Sequence, residues 1–506
     1  MNKTLKGIIF GSVLLCGLGG AMAYLLLTQP EDEEDLNSSS DSGIETVLWH
    51  LHSDDISEIS VEQPEGDSYV AFRKMEQTKT TDMEGKEVVE DIANYYLKGY
   101  EKLPMDTVQI RLLATRAPEV ASVDTVKENA SEEELAQYGL DHPVKVKFTV
   151  DNSDDVSFRI GDISPLNDNR YLCMEGSNTV YLVSKISLEP FMSGINDYLG
   201  KTLKEEQAED DETVIESVRI ERSDLDYDFY FVYDPYYKEN TNGGAMAVHV
   251  MEEPVNALLS ADKSASATHG LYGLTASEVL TPFPKQADIK AAGLDKPFVT
   301  VTMKTSDKKT TVFKLGSKFQ TEDGNERYYG MMDGLDCIYS FDPELLAYDD
   351  LTPEAIISRN VVDMYVWDIG TLTYEADGQK LAFTGKGSSQ EDFVGKMNGE
   401  EMDAAFIERY RKLYSFLLET RAEEIVYPEE KAELEGKPLA KYAEVHIDRQ
   451  DGKRSYDIAF YDAGGLKAYI SVNGDIRFRC RKSYVDTLIE NIGVFEDKDK
   501  EIKMTW

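Results

Sequence analysis

Hydrophobic and polar positions alternate with a period of two over many short stretches of this chain. Val144-Lys145-Val146-Lys147-Phe148-Thr149-Val150 is the clearest: every even-numbered residue is apolar, and the odd positions are polar. Such a strand buries one face and leaves the other in water. The same pattern predicts strands at Ile56–Val61, Tyr69–Phe72, Val156–Ile160 and Val180–Val183, then at Val214–Arg219, Asp226–Tyr233, Val299–Met303, Thr310–Leu315, Tyr328–Met331 and Cys337–Phe341. Further on it predicts Met364–Trp367, Leu372–Glu375, Val445–Ile447, Tyr456–Tyr461, Tyr469–Val472 and Ile476–Phe478. Helical periodicity is sparser. It predicts helices near Val108–Ala117 and Ala276–Leu280, a short one from Ser131 with Ser131 and Glu134 as a capping box, an amphipathic one at Phe406–Glu419, and one at Val485–Ile492. Short antiparallel hairpins with intervening helices predict an α+β fold.

One phrase recurs with its surroundings. Tyr138-Gly139-Leu140-Asp141-His142-Pro143 is matched by Ala292-Gly293-Leu294-Asp295-Lys296-Pro297. Downstream, Phe158-Arg159-Ile160-Gly161 is matched by Phe313-Lys314-Leu315-Gly316, Arg170-Tyr171 by Arg327-Tyr328, and Val180-Tyr181 by Ile338-Tyr339. The glycine suits the left-handed residue that ends a helix, and the proline blocks helical continuation and launches a strand. The phrase is therefore punctuation in a duplicated unit. A looser third copy has Gly436 and Pro438 in place but lacks the Leu-Asp between them. The expected organisation is repeat unit 1 at 47–200, repeat unit 2 at 214–357 and a divergent repeat unit 3 at 361–495.

The N-terminus has another character. Lys3 and Lys6 precede an uncharged stretch from Gly7 to Thr28, and Glu31-Asp32-Glu33-Glu34-Asp35 follows it. That length and charge order predict a transmembrane helix within residues 1–30, with its N-terminus cytoplasmic and the body outside, then an acidic flexible tether at 31–46. The expected location is the cell membrane, crossed once through residues 7–28. Two alternatives stand beside the uncleaved anchor: cleavage after Ala21-Met22-Ala23, and lipidation at Cys16.

The remaining composition mainly excludes. With 53 basic and 95 acidic residues the chain carries a formal charge of -42, a field that repels a phosphate backbone, so no nucleic-acid partner is expected. Cys173, Cys337 and Cys480 lie far apart with no Cys-x-x-Cys spacing, and are expected as unpaired buried thiols, the alternative being one long-range bridge with an odd cysteine left over. The six histidines form no zinc motif; His50 and His52 alone share a strand face, without an assignable third ligand. Asp151-Asn152-Ser153-Asp154-Asp155 begins like a calcium loop, but Val156 stands where glycine is needed, so it reads as a hairpin turn. No nucleophile elbow and no phosphate loop occurs, and neither a catalytic residue, a cofactor nor a metal is expected. The aromatic run Tyr227, Phe229, Tyr230, Phe231, Tyr233, Tyr236 and Tyr237 suits a half-buried strand, and its loop end, with Tyr233, Tyr236 and Tyr237, is the candidate ligand surface.

The repeated Gly-Leu-Asp-x-Pro phrase, the Ile/Leu-Gly after it and the later Arg-Tyr and Val/Ile-Tyr pairs resemble the bacterial domain-of-unknown-function family forty-three-forty, over residues 135–191 and 289–348. Members of that family are commonly encoded beside ABC transporters of the gliding-motility type. The resemblance implies a non-enzymatic, membrane-anchored extracytoplasmic accessory or binding subunit of an ABC-type transport system, with transporter subunits as partners. It supplies no catalytic residues. The alternatives are an envelope glycan-processing enzyme using paired carboxylates and a structural surface spacer.

Overall fold

The computed structural model describes residues 46–81, 87–116, 118–234, 246–420 and 422–506. Among these residues, twenty-seven strands form three nine-stranded antiparallel sheets, against nine α-helices of which only two exceed ten residues. The fold is thus predominantly β, and the α+β expectation is corrected. Local periodicity finds amphipathic stretches but not the partners that pull ambiguous ones into a sheet. Ala276–Leu280 illustrates this. The expected helix is instead part of strand Glu278–Pro282, which pairs with Cys337–Phe341 at a sheet edge. Met364–Trp367 is not a strand either, since Val366–Asp368 forms a single 3-10 turn.

The first sheet contains β1 (Thr46–His50), β2 (Ile56–Glu62), β3 (Tyr69–Thr81), β4 (Glu87–Leu97), β5 (Glu119–Lys127), β6 (Val144–Val150), β7 (Val156–Ile163), β8 (Arg170–Met174) and β9 (Val180–Val183), in the order β1-β5-β9-β8-β7-β6-β2-β3-β4. The second contains β10 (Ile215–Arg222), β11 (Phe229–Tyr233), β12 (Met246–Glu253), β13 (Ala257–Ser260), β14 (Glu278–Pro282), β15 (Val299–Thr305), β16 (Thr310–Gln320), β17 (Glu326–Met332) and β18 (Cys337–Phe341), ordered β13-β12-β11-β10-β15-β16-β17-β18-β14. The third contains β19 (Ile369–Ala376), β20 (Gln379–Lys386), β21 (Val394–Met397), β22 (Glu400–Glu401), β23 (Glu424–Ile425), β24 (Lys441–Arg449), β25 (Ser455–Asp462), β26 (Lys467–Val472) and β27 (Asp475–Arg481), ordered β22-β21-β20-β19-β24-β25-β26-β27-β23. The second and third orders are the same path through space. The first follows it too, with one strand fewer at one end and β1 added beyond β5 at the other. In every sheet a meander of early strands joins a four-strand meander of late ones through a single seam: β2–β6, β10–β15 and β19–β24.

Helices cover one face of each sheet. Thr107–Arg116 buries Ile110, Leu113 and Ala114 against the first, and Ala261–His269 buries Ala267 against the second. The third is covered more heavily. Ala404–Leu418 and Lys482–Gly493 bury Tyr410, Leu413, Phe416, Tyr484 and Leu488, with Phe416 stacked on Tyr484 at 4.8 Å between ring centres. Among the helix predictions, the capping box at Ser131 is present in full: its hydroxyl accepts from the Glu134 amide, and the Glu134 carboxylate accepts from the Ser131 amide at 2.8 Å. No described helix is long and apolar enough to cross a membrane, so the membrane and signal-anchor reading finds no support in this fold. The expected span at 7–28 and the tether up to residue 45 lie outside the described residues.

The repeated phrase has a physical purpose. Gly139 and Gly293 sit at φ 68° and 70°, and the following leucine amides reach back to the Leu135 and Ile289 carbonyls at 3.1 and 2.9 Å, closing each helix as a Schellman turn. Each turn then docks on a bulge in the next strand. The Asp162 amide donates to the Tyr138 carbonyl and the Ser317 amide to the Ala292 carbonyl, both at 2.9 Å. Ladder irregularities at Ile160/Ile163 and Leu315/Lys318 mark the bulges. The Ile-Gly and Leu-Gly pairs make this approach possible, because a Cβ at Gly161 or Gly316 would lie closer than 3.0 Å to those carbonyl oxygens. The leucines of the phrase are buried in two small clusters, one with Leu135, Leu140, Cys173 and Val180, the other with Ala292, Leu294 and Ile338. These clusters lie on the sheet face opposite the main core, since Cys173 and Ile338 alternate with core-facing Leu172, Cys337 and Tyr339.

Cys173, Cys337 and Cys480 are buried and free, one in each sheet. Burial pushes the Cys337 thiol up to about 11 and the Cys480 thiol up to about 12.

Two predictions follow from packing. Gly316→Ala should lower stability by about 2–3 kcal/mol, because the added methyl meets a backbone carbonyl that is itself held in a turn. An unchanged urea midpoint would show that the turn does not dock there. The second concerns His249 on β12, which is 1 % exposed, with Nε2 2.8 Å from the Ile215 carbonyl and Nδ1 unpartnered. Burial lowers its pKa from 6.5 to about 4, with the nearby His269 ring adding to the shift and the Ile215 carbonyl opposing it. The unfolded chain therefore takes up the proton first. Stability from this residue is complete above pH 6.5 and is lost as pH falls toward 4, by about 3 kcal/mol in all. His249→Gln should flatten that part of the urea stability profile between pH 4 and 6.5.

Candidate functional site

The third unit departs from the other two at the repeated phrase. Gly436 keeps its positive φ of 72°, but the leucine after it is gone and no six-to-one turn hydrogen bond forms. β25 pairs with β26 without any irregularity, and no third cluster of buried apolar residues forms on the outer sheet face among the described residues. The last strand shows why. β9 presents Val180 and Leu182 outward and β18 presents Ile338, whereas β27 presents Asp475, Arg477, Arg479 and Arg481.

Helix Pro428–Leu434, which precedes Gly436, is consequently held to the sheet by charge. Lys431 Nζ lies 2.7 Å from Asp475 Oδ1, Arg479 pairs with Glu430, and the Tyr469 hydroxyl donates to the same Glu430 carboxylate at 3.0 Å. Arg479 also lies over the Tyr469 ring, 5.3 Å from its centre. Polar bridges leave gaps that apolar packing would fill. A space of about 550 Å³ separates this helix from the β26–β27 turn, lined by Lys431, Leu434, Glu435 and Asp475.

Two more hollows adjoin that turn. Asn473 and Gly474 form it with φ of 53° and 81°, the left-handed pair that a two-residue hairpin requires. On the outer face of the sheet, Thr373, Glu375, Glu444, His446, Asp457 and Tyr461 border a groove of about 580 Å³. His446 is clamped there, with Nδ1 2.6 Å from Asp457 and Nε2 3.0 Å from Asp448. Both ring nitrogens face carboxylates, which only the imidazolium satisfies with two donors, and the Asp457 bond raises its pKa first. The Glu375 carboxyl is held below its usual range by Lys380, and Lys441 pairs with Glu444.

The third hollow, about 400 Å³, lies between the second and third units. Its floor is a buried charge cluster. The Arg454 Nη1 donates to Asp363 Oδ2 at 3.0 Å, the Tyr456 hydroxyl donates to the other Asp363 oxygen, and Asp234 of the second unit lies 3.8 Å from Arg454 Nη1. Asp363 is 1 % exposed and Asp234 4 %, so both carboxylates are buried among these partners. Above them stand Lys453 and Arg477, with Asn256, Asn360 and Asn473 around the rim.

Of the sequence-predicted ligand residues, Tyr233 ends β11 directly before Asp234, with its ring 6.1 Å from that of His249. Tyr236 and Tyr237 lie outside the described residues. Phe229 and Phe231 of the same run are fully buried, and Tyr230 lies under the Arg219 guanidinium at 4.3 Å. His50 meets Glu119 at 2.6 Å, and no metal-binding group of three ligands occurs among the described residues. Sequence reasoning missed the cleft residues. The signal was the alternation Ile476-Arg477-Phe478-Arg479-Cys480-Arg481, an arginine-bearing outer face in a chain of charge -42.

Residues 96–224 match the family model DUF4340, a domain of unknown function. The match takes in residues 135–191 and ends before the second copy of the phrase. No curated protein and no solved structure matches the chain.

The charge-held helix makes a testable contrast. Raising salt from 0.1 to 1 M shortens the screening length from about 10 to about 3 Å. Amide exchange in residues 429–434 should then accelerate several-fold, while helix Gln286–Ala291, sealed by Leu294, should not change. Equal responses in the two helices would contradict a polar seal.

Proposed function

We propose that this chain is a non-enzymatic accessory or binding subunit of an ABC-type transport system, working outside the cytoplasm. The observation that carries the reading is divergence within a repeat: of three sheets that share an eight-strand path, the first two seal their outer faces with the Gly-Leu-Asp turn, and the third opens polar hollows there. Repetition without change supplies a scaffold; a copy freed from its packing role supplies a recognition surface. The transporter association rests on the family resemblance, now joined by the match over residues 96–224. The basic-apolar-acidic order of residues 3–35 supports the location.

The groove chemistry favours binding over glycan cleavage. A glycosidase acid needs a carboxyl raised toward neutrality. Glu375 and Asp448, at or beside the groove, are both shifted downward, by Lys380 and by the Thr371 hydroxyl. Tagged full-length protein, extracted in mild detergent from its native host, should bring transporter subunits with it. Recovery free of any transporter subunit, at yields where a known membrane complex survives the same extraction, would overturn the association.

A further inference from the structure

We propose that the hollow between the second and third units, centred on Arg477, binds a small organic or inorganic oxyanion through its carboxylate or phosphate group. The lining runs against the chain as a whole. The chain has 53 bases to 95 acids, yet the described lining holds Lys453, Arg454 and Arg477 with the single acid Asp234, and Asp363 lies beneath, bound to Arg454. Its volume of about 400 Å³ and its position between two units are ordinary for a small-ligand site.

Arg477 is the residue whose charge is least matched. Its side chain is only 15 % exposed, and its Nε is 3.1 Å from Asp475 Oδ2. That carboxylate is shared, because its other oxygen takes Lys431 at 2.7 Å. Two cations thus divide one anion, and neither Nη of Arg477 donates to a described residue. Burial accordingly lowers the Arg477 guanidinium in spite of Asp475. A guanidinium presents a planar fork that fits the paired oxygens of a carboxylate or phosphate. Arg454 differs, since Asp363 and Asp234 both face it, and it serves as the wall that joins the units.

The neutral groups around Arg477 are suited to the same ligand. Asn473 accepts the Asp457 amide through Oδ1 at 2.8 Å, which fixes its orientation and leaves the side-chain NH2 as its remaining donor. Asn256, Asn360 and Ser455 add further amide and hydroxyl groups to the lining. The inference deepens the binding reading above by naming a ligand class. Failure of transporter co-purification leaves it standing.

Calorimetric titration of the full chain tests it, with sodium phosphate in one arm and sodium citrate in the other, at constant ionic strength set by sodium chloride. Saturable one-to-one binding of either anion is expected, and the arm that saturates identifies the group recognised. Arg477→Gln should weaken that binding at least tenfold. Arg481→Gln removes the same charge from the same strand face outside the hollow and should change it less than twofold. Arg477→Lys keeps the charge and loses the fork, should fall between the two, and carries the test if the Gln variant does not fold. No saturable heat with either anion overturns the proposal, as does equal weakening by Arg477→Gln and Arg481→Gln.

Discussion

Each sheet depends on one seam. β2 with β6, β10 with β15 and β19 with β24 join the early meander of each unit to its late four-strand meander, while β5, β14 and β23 pair with the far strands β9, β18 and β27. Ile59 pairs with Phe148, Ile220 with Val301 and Leu372 with Ile447, all fully or almost fully buried. The chain between these partners holds a covering helix, so the seam and the helix close over the same core. Loop closure over some eighty residues is the entropic cost of each seam, offset by burying the same side chains that the ladder brings together.

The seam was beyond sequence reasoning, and the turns were not. Val144–Val150 alternates because one face is buried, and Gly139 and Pro143 mark where a helix stops and a strand starts; each of these is decided within a few residues. The register of β6 against β2 is decided across some ninety residues and leaves no local trace. β5, β12 and β13 went unread for the same reason. β5 carries Asp124 and Thr125 at its centre, and only its place between β1 and β9 makes it a strand. Ala276–Leu280 has helical composition and still pairs with β18, because an edge position accepts a poor strand former when a ladder is waiting. Of the expected ligand residues, Tyr233 directly precedes Asp234 and Tyr236 and Tyr237 lie outside the described residues, while the arginines of β27 were legible as an alternation that strand reading passed over as ordinary polarity.

Duplication explains why the third unit is free to differ. In the first two, Leu140 and Leu294 tie a helix end to the sheet, and glycine at 161 and 316 is required by a backbone contact. Removing the leucine removes the reason for apolar residues on the last strand, so the two changes occur together. What replaces them is a set of ion pairs across β27 and helix Pro428–Leu434, with Arg477 left sharing a carboxylate. The same substitution of charge for packing that weakens the seal creates the hollow.

The three cysteines place a reporter in each unit. Cys173 sits on β8, Cys337 on β18 and Cys480 on β27, all buried and all unpaired. A thiol inside a closed sheet is shielded from an alkylating reagent and becomes reactive when its own sheet opens. Their rates of modification, resolved peptide by peptide, therefore read out the separate opening equilibria of three similar units in a single unaltered chain. The protein carries its own internal comparison of how much stability a repeat gives up when charge replaces packing on its outer face.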